Sequence, residues 1–184
     1  MALMASKMVA LGTMAPDFTL PDVVSGKNIS LVQLAVDRPL VLMFICNHCP
    51  YVKHINAELV RIANTYQARG VSFVAISSND AVRYPEDGPE QMKAVARELG
   101  YPFPYLYDQT QAVAKDYEAS CTPDFYLFDG LHQLRYRGRF DGATPGNEVP
   151  VTGEDLRAAL DVLLGGGLPT KKQRPSMGCG IKWA

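Results

Sequence analysis

The sequence predicts an α/β fold in which a central mixed sheet is flanked by helices and an added hairpin precedes the core. Two apolar runs, Pro39 to Ile45 and Val71 to Ser77, have the length and composition of buried strands. The segment between them repeats apolar residues at helical spacing. A strand-helix-strand unit of this length favours two parallel strands joined by a right-handed crossover, as in α/β domains.

The composition is that of an ordinary folded domain. The 184 residues are 47% hydrophobic and 20% charged, so we expect one domain over residues 1–184, with its core at about 15–164 and a C-terminal tail at 165–184. The net charge of -1 gives no field that would attract nucleic acid or an acidic membrane surface. The class of partner must therefore come from the site.

Cysteine usage and hydropathy predict a cytoplasmic protein. Four cysteines in a chain of this length are too few for a disulfide scaffold. The start of the chain, Met1 to Leu11, makes a poor secretory signal, because it holds one lysine and an apolar run broken by small and polar residues. No apolar run reaches the roughly 18 residues of a membrane span.

A small hairpin and a helical turn are expected ahead of the core. Asp17 to Pro21 and Lys27 to Ser30 flank a turn that contains Ser25-Gly26. Leu31 to Ala35 follows as a helical turn with Ser30 as its N-cap. The residues before this hairpin are expected to be loose.

The first long helix is expected to begin at Pro50 and to end near Arg69, where Gly70 is a natural stop. Because parallel strands end at one edge of a sheet, the loop after the second strand, Ser78 to Gly88, should form one wall of a cleft at that edge. Its polar residues are candidates for contact with a partner: Asn79, Asp80 and Arg83. For Asp80 and Asp87 we favour the role of turn or cap residues.

The rest of the chain is predicted to form short helices and strands. The expected elements are a helix at Pro89 to Leu99, a strand at Tyr105 to Tyr107, a short helix at Gln111 to Tyr117, two strands meeting at the turn Asp129-Gly130, and a last helix at Gly153 to Leu164. The tail from Pro169 onwards is expected to be mobile around Cys179, with Ile181 and Trp183 docking on an apolar surface.

Two cysteines lie where the first strand meets the first long helix. The unpaired N–H groups and positive dipole end of the first helical turn favour a thiolate, which points to Cys46 as the reactive sulfur. Cys49 is one helical turn further on and can close a disulfide with Cys46. His48 between them can donate a proton or add positive charge, which would lower the pKa of Cys46. Pro50 is tolerated in a first turn.

Two other interpretations of this pair remain open. Free cysteines are often ordinary core residues. The pair could also be half of a zinc site, although zinc sites usually show a second paired cluster, and the other candidate ligands are scattered along the chain: His54, Cys121, His132 and Cys179. We predict neither a metal nor a cofactor.

A proline heads the strand that follows Thr122. Such a position in an otherwise internal strand favours a cis Thr122-Pro123 bond over a trans proline in a plain turn. A cis bond would expose the backbone of Thr122, so that an extended peptide could pair with it by strand addition beside the reactive sulfur.

The order of elements from Ala15 to about Leu164 resembles the thioredoxin fold, and the N-terminal hairpin marks its redoxin, or AhpC/TSA-like, branch. The segments that carry the closer resemblance, to a bacterial group of peroxiredoxin-like thioredoxin-family proteins, are Cys46-Asn47-His48-Cys49-Pro50-Tyr51, Cys121-Thr122-Pro123-Asp124 and Gly178-Cys179-Gly180-Ile181-Lys182-Trp183. The resemblance implies thiol-disulfide or antioxidant chemistry.

One departure from the peroxiredoxin pattern favours the dithiol interpretation. In peroxiredoxins the peroxide-reducing cysteine stands at the place of Cys49, with a threonine three residues before it and a proline seven residues before it. Here Cys46 and Leu42 stand in those places. Without the threonine hydroxyl that orients the peroxide, efficient peroxidase chemistry is not expected. The Cys-x-His-Cys spacing is instead similar to that of oxidising thioredoxin-fold proteins.

We therefore predict a thiol-disulfide oxidoreductase in which Cys46 attacks, Cys49 resolves, His48 tunes the potential, and Thr122 and Pro123 present the partner. The predicted partners are protein disulfides or thiols, with thioredoxin or glutathione as electron donor. The first alternative is a thiol peroxidase with Cys121 or Cys179 as the resolving cysteine. The second is a non-catalytic module that binds peptides or a metal.

Overall fold

The computed structural model describes residues 3–184, and Met1 and Ala2 lie outside that range. The strands are β1 Leu3–Ala5, β2 Thr19–Pro21, β3 Asn28–Ser30, β4 Leu40–Phe44, β5 Ser72–Ser77, β6 Tyr105–Tyr107, β7 Cys121–Thr122, β8 Asp124–Phe128, β9 Leu134–Gly138 and β10 Met177–Gly180. The helices are α1 Leu31–Leu34, α2 Pro50–Gln67, α3 Pro89–Glu98, α4 Ala112–Asp116 and α5 Glu154–Leu164. A 3-10 turn covers Pro85–Asp87.

The central sheet has five strands in the order β6-β5-β4-β8-β9. Strand β4 pairs in parallel with β5 and antiparallel with β8, so the predicted mixed sheet with a parallel crossover is confirmed. All five residues of β4 are buried. Its alternate side chains enter two separate apolar clusters, one on each face, because successive residues of a strand point in opposite directions.

Helix α2 covers one face of this sheet and begins where the sequence predicts. Cys49 is its N-cap and Pro50 is in its first turn, where a missing N–H costs nothing. Its buried face is apolar except for one asparagine: Val52, Ile55, Asn56, Leu59, Ile62, Ala63 and Tyr66. Gly70 follows the helix with a φ of +88°, a backbone conformation that favours glycine.

The other predicted elements are present, most of them shorter by one to a few residues. Strands β2 and β3 form the N-terminal hairpin. A capping box at Ser30 and Gln33 starts α1, as the expected N-cap role of Ser30 requires. Strands β8 and β9 pair antiparallel across the Asp129-Gly130 turn. The Thr122–Pro123 peptide bond is cis.

Both ends of the described chain depart from expectation. The predicted loose start and mobile tail are instead two paired strands, in a three-stranded sheet of the order β1-β10-β7. Cys179 pairs with Thr122 on one side and with Leu3 on the other. The amide of Ser6 donates to the carbonyl of Ser176 at 2.9 Å, which ties the two ends together. The C-terminal segment thereby lies against the cis proline.

Within residues 3–184, none of the helices combines the length and the apolar character needed to cross a membrane.

Candidate active site

The two sulfurs of the Cys46-Cys49 pair lie at the junction of β4 and α2, as predicted. Both are free thiols, and each shifts the pKa of the other. Cys49 is fully buried and Cys46 is only 2% exposed. Cys46, the sulfur that the sequence predicts to be reactive, is therefore almost without solvent contact. The fold brings the pair together but seals both sulfurs from solvent.

Thr122 contacts both sulfurs from the residue before the cis bond. Its hydroxyl Oγ1 is 3.3 Å from Sγ of Cys46. Its carbonyl oxygen is 3.3 Å from Sγ of Cys49 and accepts a hydrogen bond when that thiol is protonated. Strand β7 thus holds both groups of Thr122 against the cysteine pair, and Pro123 then leads the chain into β8 of the central sheet.

The charge preference of the pair is the reverse of the predicted one. A hydrogen bond from the Cys46 thiol lowers the pKa of Cys49, and the side chain of Cys179 and the N–H groups of Val52 and Cys179 act in the same direction. For Cys46, the hydrogen bond to Cys49, burial and the charge of Asp87 all raise the pKa. In the resting dithiol the negative charge is therefore favoured on Cys49, which caps the helix, rather than on Cys46.

The buried carboxylate of Asp87 is one reason why ionisation of Cys46 is unfavourable. This carboxylate is fully buried and accepts the backbone N–H groups of Asn47 at 2.8 Å and of His48 at 3.2 Å through Oδ1. Its Oδ2 accepts the side-chain amide of Asn79 at 2.8 Å. The expected role of Asp87 as a plain turn or cap residue is therefore wrong. Asp80 does have that role, because its carboxylate accepts the amide of Val82 at 2.9 Å.

His48 is turned towards Asp87. Its Nδ1 lies 2.5 Å from Oδ2 of Asp87, and its ring stacks on Tyr84 with the centroids 5.5 Å apart. Its other ring nitrogen, Nε2, is buried and has no hydrogen-bond partner among the described residues. Besides the direct effect expected from the sequence, the structure shows an indirect way for His48 to act on Cys46. His48 holds in place the carboxylate whose charge opposes ionisation of Cys46.

Three potential metal ligands converge at this point. One sulfur, one ring nitrogen and one carboxylate oxygen, from Cys46, His48 and Asp87, all lie within 4.8 Å of one another. These atom types suit zinc, which usually takes four ligands. The same three residues also hydrogen-bond within the site, Cys46 with Thr122 and His48 with Asp87.

Asn47 and Asn79 hold the walls of the site. Asn47 donates to the carbonyl of Glu86 at 2.9 Å and accepts from the hydroxyl of Tyr105 at 3.1 Å. Asn79, a predicted partner contact, is instead buried and accepts the backbone N–H of Lys182 at 2.9 Å. Asn79 therefore bridges Asp87 and the C-terminal segment.

The two candidate resolving cysteines have different surroundings. Cys179 is buried in β10 and hydrogen-bonds with Cys49, and burial together with that bond raises the pKa of Cys179 to about 12. Cys121 is fully buried, and burial is the main cause of its raised pKa. Cys179, but not Cys121, therefore lowers the pKa of Cys49.

Asp87 is the main site residue that sequence reasoning missed. A signal for it was present, since the loop Ser78 to Gly88 follows a parallel strand and was expected to form a wall of the cleft. What the sequence could not show is that the loop folds back far enough to bury its last carboxylate under Asn47.

Comparisons with known proteins identify the family of this chain. A comparison with protein families matches residues 11–137 to the AhpC/TSA family. The chain is 58% identical to an uncharacterized conserved protein from Geobacillus kaustophilus, with a TM-score of 0.98 and coverage of 100% of this chain and 97% of the other. It is 46% identical to a hypothetical protein from Sinorhizobium meliloti 1021, with a TM-score of 0.95 and coverage of 98% of each chain.

A more distant likeness shows the fold alone. The peroxidoxin BcpB of Mycobacterium tuberculosis is 21% identical, with a TM-score of 0.57 and coverage of 68% of this chain and 82% of the other. The comparison with curated proteins gave no match. Because the family match spans well over half of the chain and the fold is thioredoxin-like, the protein belongs to the AhpC/TSA family, in the redoxin branch of the thioredoxin superfamily.

Proposed function

We propose that this protein is a thiol-disulfide oxidoreductase that cycles Cys46 and Cys49 between dithiol and disulfide on protein or small-thiol substrates. One observation carries the proposal. Two free thiols lie at the start of α2, and each is 3.3 Å from an oxygen of Thr122, the residue before the cis proline. An ordinary pair of core cysteines would not need a shared proton or a polar partner for each sulfur.

The reaction begins at Cys46, which is the less buried sulfur. Cys46 attacks one sulfur of the substrate disulfide and passes its proton to the Cys49 thiolate, so that a mixed disulfide forms and one substrate thiolate leaves. Cys49 then gives its proton to that leaving thiolate and attacks the sulfur of Cys46. The second substrate thiolate departs, and two electrons have moved from the dithiol to the substrate. With the protein oxidised, the same steps run in reverse.

Four residues around the pair have assigned roles in this scheme. The hydroxyl of Thr122 donates to the sulfur of Cys46 and stabilises negative charge there as the attack begins. Pro123 fixes the backbone of Thr122 against the pair. His48 and Asp87 set how costly an ionised Cys46 is, because the carboxylate charge raises the pKa of Cys46. The last effect would tune the redox potential of the pair.

The electron donor would be another dithiol or glutathione, in keeping with a cytoplasmic role. Reduction of the Cys46-Cys49 disulfide by thioredoxin or glutathione returns the protein to the dithiol form. The equilibrium potential of the pair against glutathione is the measurement that fixes the direction of electron flow in the cell.

Trapping of mixed disulfides tests the proposal. A Cys49→Ser variant should accumulate partner proteins linked to Cys46, because the resolving sulfur is missing, whereas the matched Cys46→Ser variant should capture far fewer. Capture by a thioredoxin trapping variant is the positive control. If neither variant captures partners under conditions where that control does, the proposed function is wrong. Capture by Cys46→Ser alone would reverse the roles of the two sulfurs.

A second candidate function is a thiol peroxidase, and a specific observation favours it. Cys49, whose pKa is lowered, contacts Cys179 as well as Cys46. The Cys49 thiolate would take one oxygen atom from a hydroperoxide, giving a sulfenic acid and releasing an alcohol or water. The thiol of Cys179 or Cys46 would then displace water to form a disulfide.

Peroxide consumption by the reduced protein separates the two functions. We expect a rate close to that of an unactivated thiol, because Cys46 stands where peroxiredoxins have the threonine that orients the peroxide. Rapid consumption that is lost in a Cys49→Ser variant would instead establish the peroxidase.

A further inference from the structure

The C-terminal strand β10 occupies the edge of β7 beside the cis proline. Cys179 pairs antiparallel with Thr122, and Gly180 pairs with Cys121. This is the edge on which an extended peptide could add as a strand next to the two sulfurs. In the folded chain that edge is already taken by the chain itself.

The sequence of β10 allows it to lie close to the backbone of Thr122. A Cβ atom on Gly178 would overlap the carbonyl oxygen of Thr122 and lie 2.7 Å from its carbonyl carbon. Real Cβ contacts essentially never come so close. The backbone of β10 therefore approaches Thr122 as closely as it does only because residue 178 has no side chain.

The segment around β10 is anchored on both sides of the site. At its start, the hydroxyl of Ser176 donates to the carbonyl of Gly138 at 2.7 Å. At its end, the carbonyl of Lys182 accepts from the amide of Asp80 and from the side chain of Gln111, both at 2.8 Å. We call Ser176 to Lys182 the C-terminal strap.

The strap closes the site on the side of Cys49. Strand β10 hydrogen-bonds across Thr122 and places the Cys179 side chain on Cys49. One edge of a strand can pair with only one neighbour, so a substrate strand and the strap exclude each other. The strap is tethered, which gives it an effective concentration of the order of mM at this edge, well above that of most cellular partners.

We propose that the C-terminal strap is an intrachain occupant of the substrate edge, and that a protein disulfide reaches Cys46 only when an extended segment of the substrate replaces the strap on β7. This rests on the proposed thiol-disulfide function. The replacing segment must bring a glycine to the place of Gly178, because a Cβ atom there would meet the Thr122 carbonyl. The substrate class is therefore an extended segment with a glycine at the cis proline, next to its cysteine.

Departure of the strap also changes the chemistry of the pair. The side chain and the N–H group of Cys179 both lower the pKa of Cys49 in the closed site. When the strap leaves, Cys49 loses both and becomes a stronger base towards the proton of Cys46. Opening therefore frees the edge of β7 and favours ionisation of Cys46 in the same step. A closed strap keeps the dithiol in its less nucleophilic arrangement.

Two glycine variants of the full chain test the strap. Gly178→Ala places a methyl group against Thr122, whereas the control Gly146→Ala adds one where no atom lies within 4 Å. Alkylation of the native, reduced proteins by iodoacetamide is followed for Cys46 and Cys179 by mass spectrometry of their peptides. We expect Gly178→Ala to raise both rates about tenfold or more and Gly146→Ala to leave them unchanged. Equal rates in the wild type and in folded Gly178→Ala would overturn the proposal.

The rate of reduction of a protein disulfide provides a second test of the strap. With insulin as the protein disulfide and dithiothreitol as donor, Gly178→Ala should reduce insulin faster than the wild type, because the strap no longer competes for β7. Faster alkylation without faster insulin reduction would show that the strap covers the sulfurs but does not hold the substrate edge, which contradicts the proposal.

Hydrogen exchange of the wild type tests strap opening without any variant. The amide of Ile181 donates to the carbonyl of Ser120, and that of Lys182 donates to Asn79. Both should exchange by local opening, faster than the core amide of Ile45, which donates to Ile76. Exchange of the strap amides only through global unfolding would exclude the opening.

These experiments also distinguish a failure of this proposal from a failure of the proposed function. Exchange and alkylation need no turnover, so they report on the strap even if the protein reduces no disulfide. If the strap opens as expected but the trapping experiment captures nothing, the thiol-disulfide function fails and the account of the strap as a cover remains.

Discussion

The division of charge between Cys46 and Cys49 can be tested by removing the hydrogen-bond donor of the pair. In the reduced protein, the Cys46 thiol donates to Cys49 and is the largest cause of the lowered pKa of Cys49. A Cys46→Ala variant deletes that donor and leaves the helix start and the N–H groups in place. The pKa of Cys49 should therefore rise.

The size of the effect follows from the loss of one hydrogen bond to a charged acceptor. Such a bond contributes about 1.5–3 kcal/mol. At about 1.4 kcal/mol per pH unit, the titration midpoint of Cys49 should move upward by about one to two pH units. The contributions of Cys179 and of the Val52 N–H group remain, so the midpoint should stay below that of an ordinary thiol.

The assay is the ultraviolet absorbance of the thiolate during a pH titration of the reduced protein. The low-pH transition of the wild type should shift upward in Cys46→Ala and disappear in Cys49→Ala. Cys121→Ala is the matched control, because Cys121 contributes no hydrogen bond to Cys49, and its titration should match the wild type. A low-pH transition that survives in Cys49→Ala and is lost in Cys46→Ala would refute the reasoning and return the charge to Cys46.

Three further predictions follow from the electrostatics of the site. Asp87→Asn removes a buried charge that raises the pKa of Cys46, so the thiolate of Cys46 should form at lower pH. The weakened hydrogen bonds should also lower the free energy of unfolding by about 2 kcal/mol in denaturant titrations. Asp80→Asn is the control, and an unchanged pKa of Cys46 in Asp87→Asn would contradict the assigned role. The pKa of Cys49 in the folded protein lies below the ordinary value of 9.0, so the unfolded chain binds more protons than the folded one between these two values. The stability of the reduced protein should therefore rise with pH across that interval, and this contribution should be lost as the pH falls through the folded pKa. Cys49→Ala should remove the pH dependence. Protein purified without chelator should contain far less than stoichiometric zinc; a full equivalent by elemental analysis, lost in Cys46→Ala, would favour the metal-binding alternative at Cys46, His48 and Asp87.

Much of the fold follows from local sequence patterns. The apolar runs at β4 and β5, the helical spacing after Pro50 and the Asp129-Gly130 turn each specify an element, because local spacing and turn chemistry act over a few residues. The capping box at Ser30 and the cis Thr122–Pro123 bond also have local signals, and both are present. The sequence was sufficient to bring the two cysteines of the pair to the start of a helix.

The protonation of that pair depended on contacts from distant parts of the chain. Asp87 reaches the site from a loop about 40 residues later and raises the pKa of Cys46. Whether a thiol ionises is set by burial and by neighbouring charges, and neither can be read from the spacing of two cysteines. For this reason the helix position was predicted correctly and the charged sulfur was not.

The sequence by itself determined the layers of the fold, the start of α2 and the identity of the two sulfurs, because these depend on patterns within short segments. Only the tertiary structure decided what closes the site. Strand β10 pairs with β7 through backbone groups, and its fit depends on the missing side chain of Gly178. The residues that pair here are more than 50 positions apart, and backbone pairing leaves almost no pattern in the side chains. From the sequence alone, β10 is therefore predicted to be a loose tail.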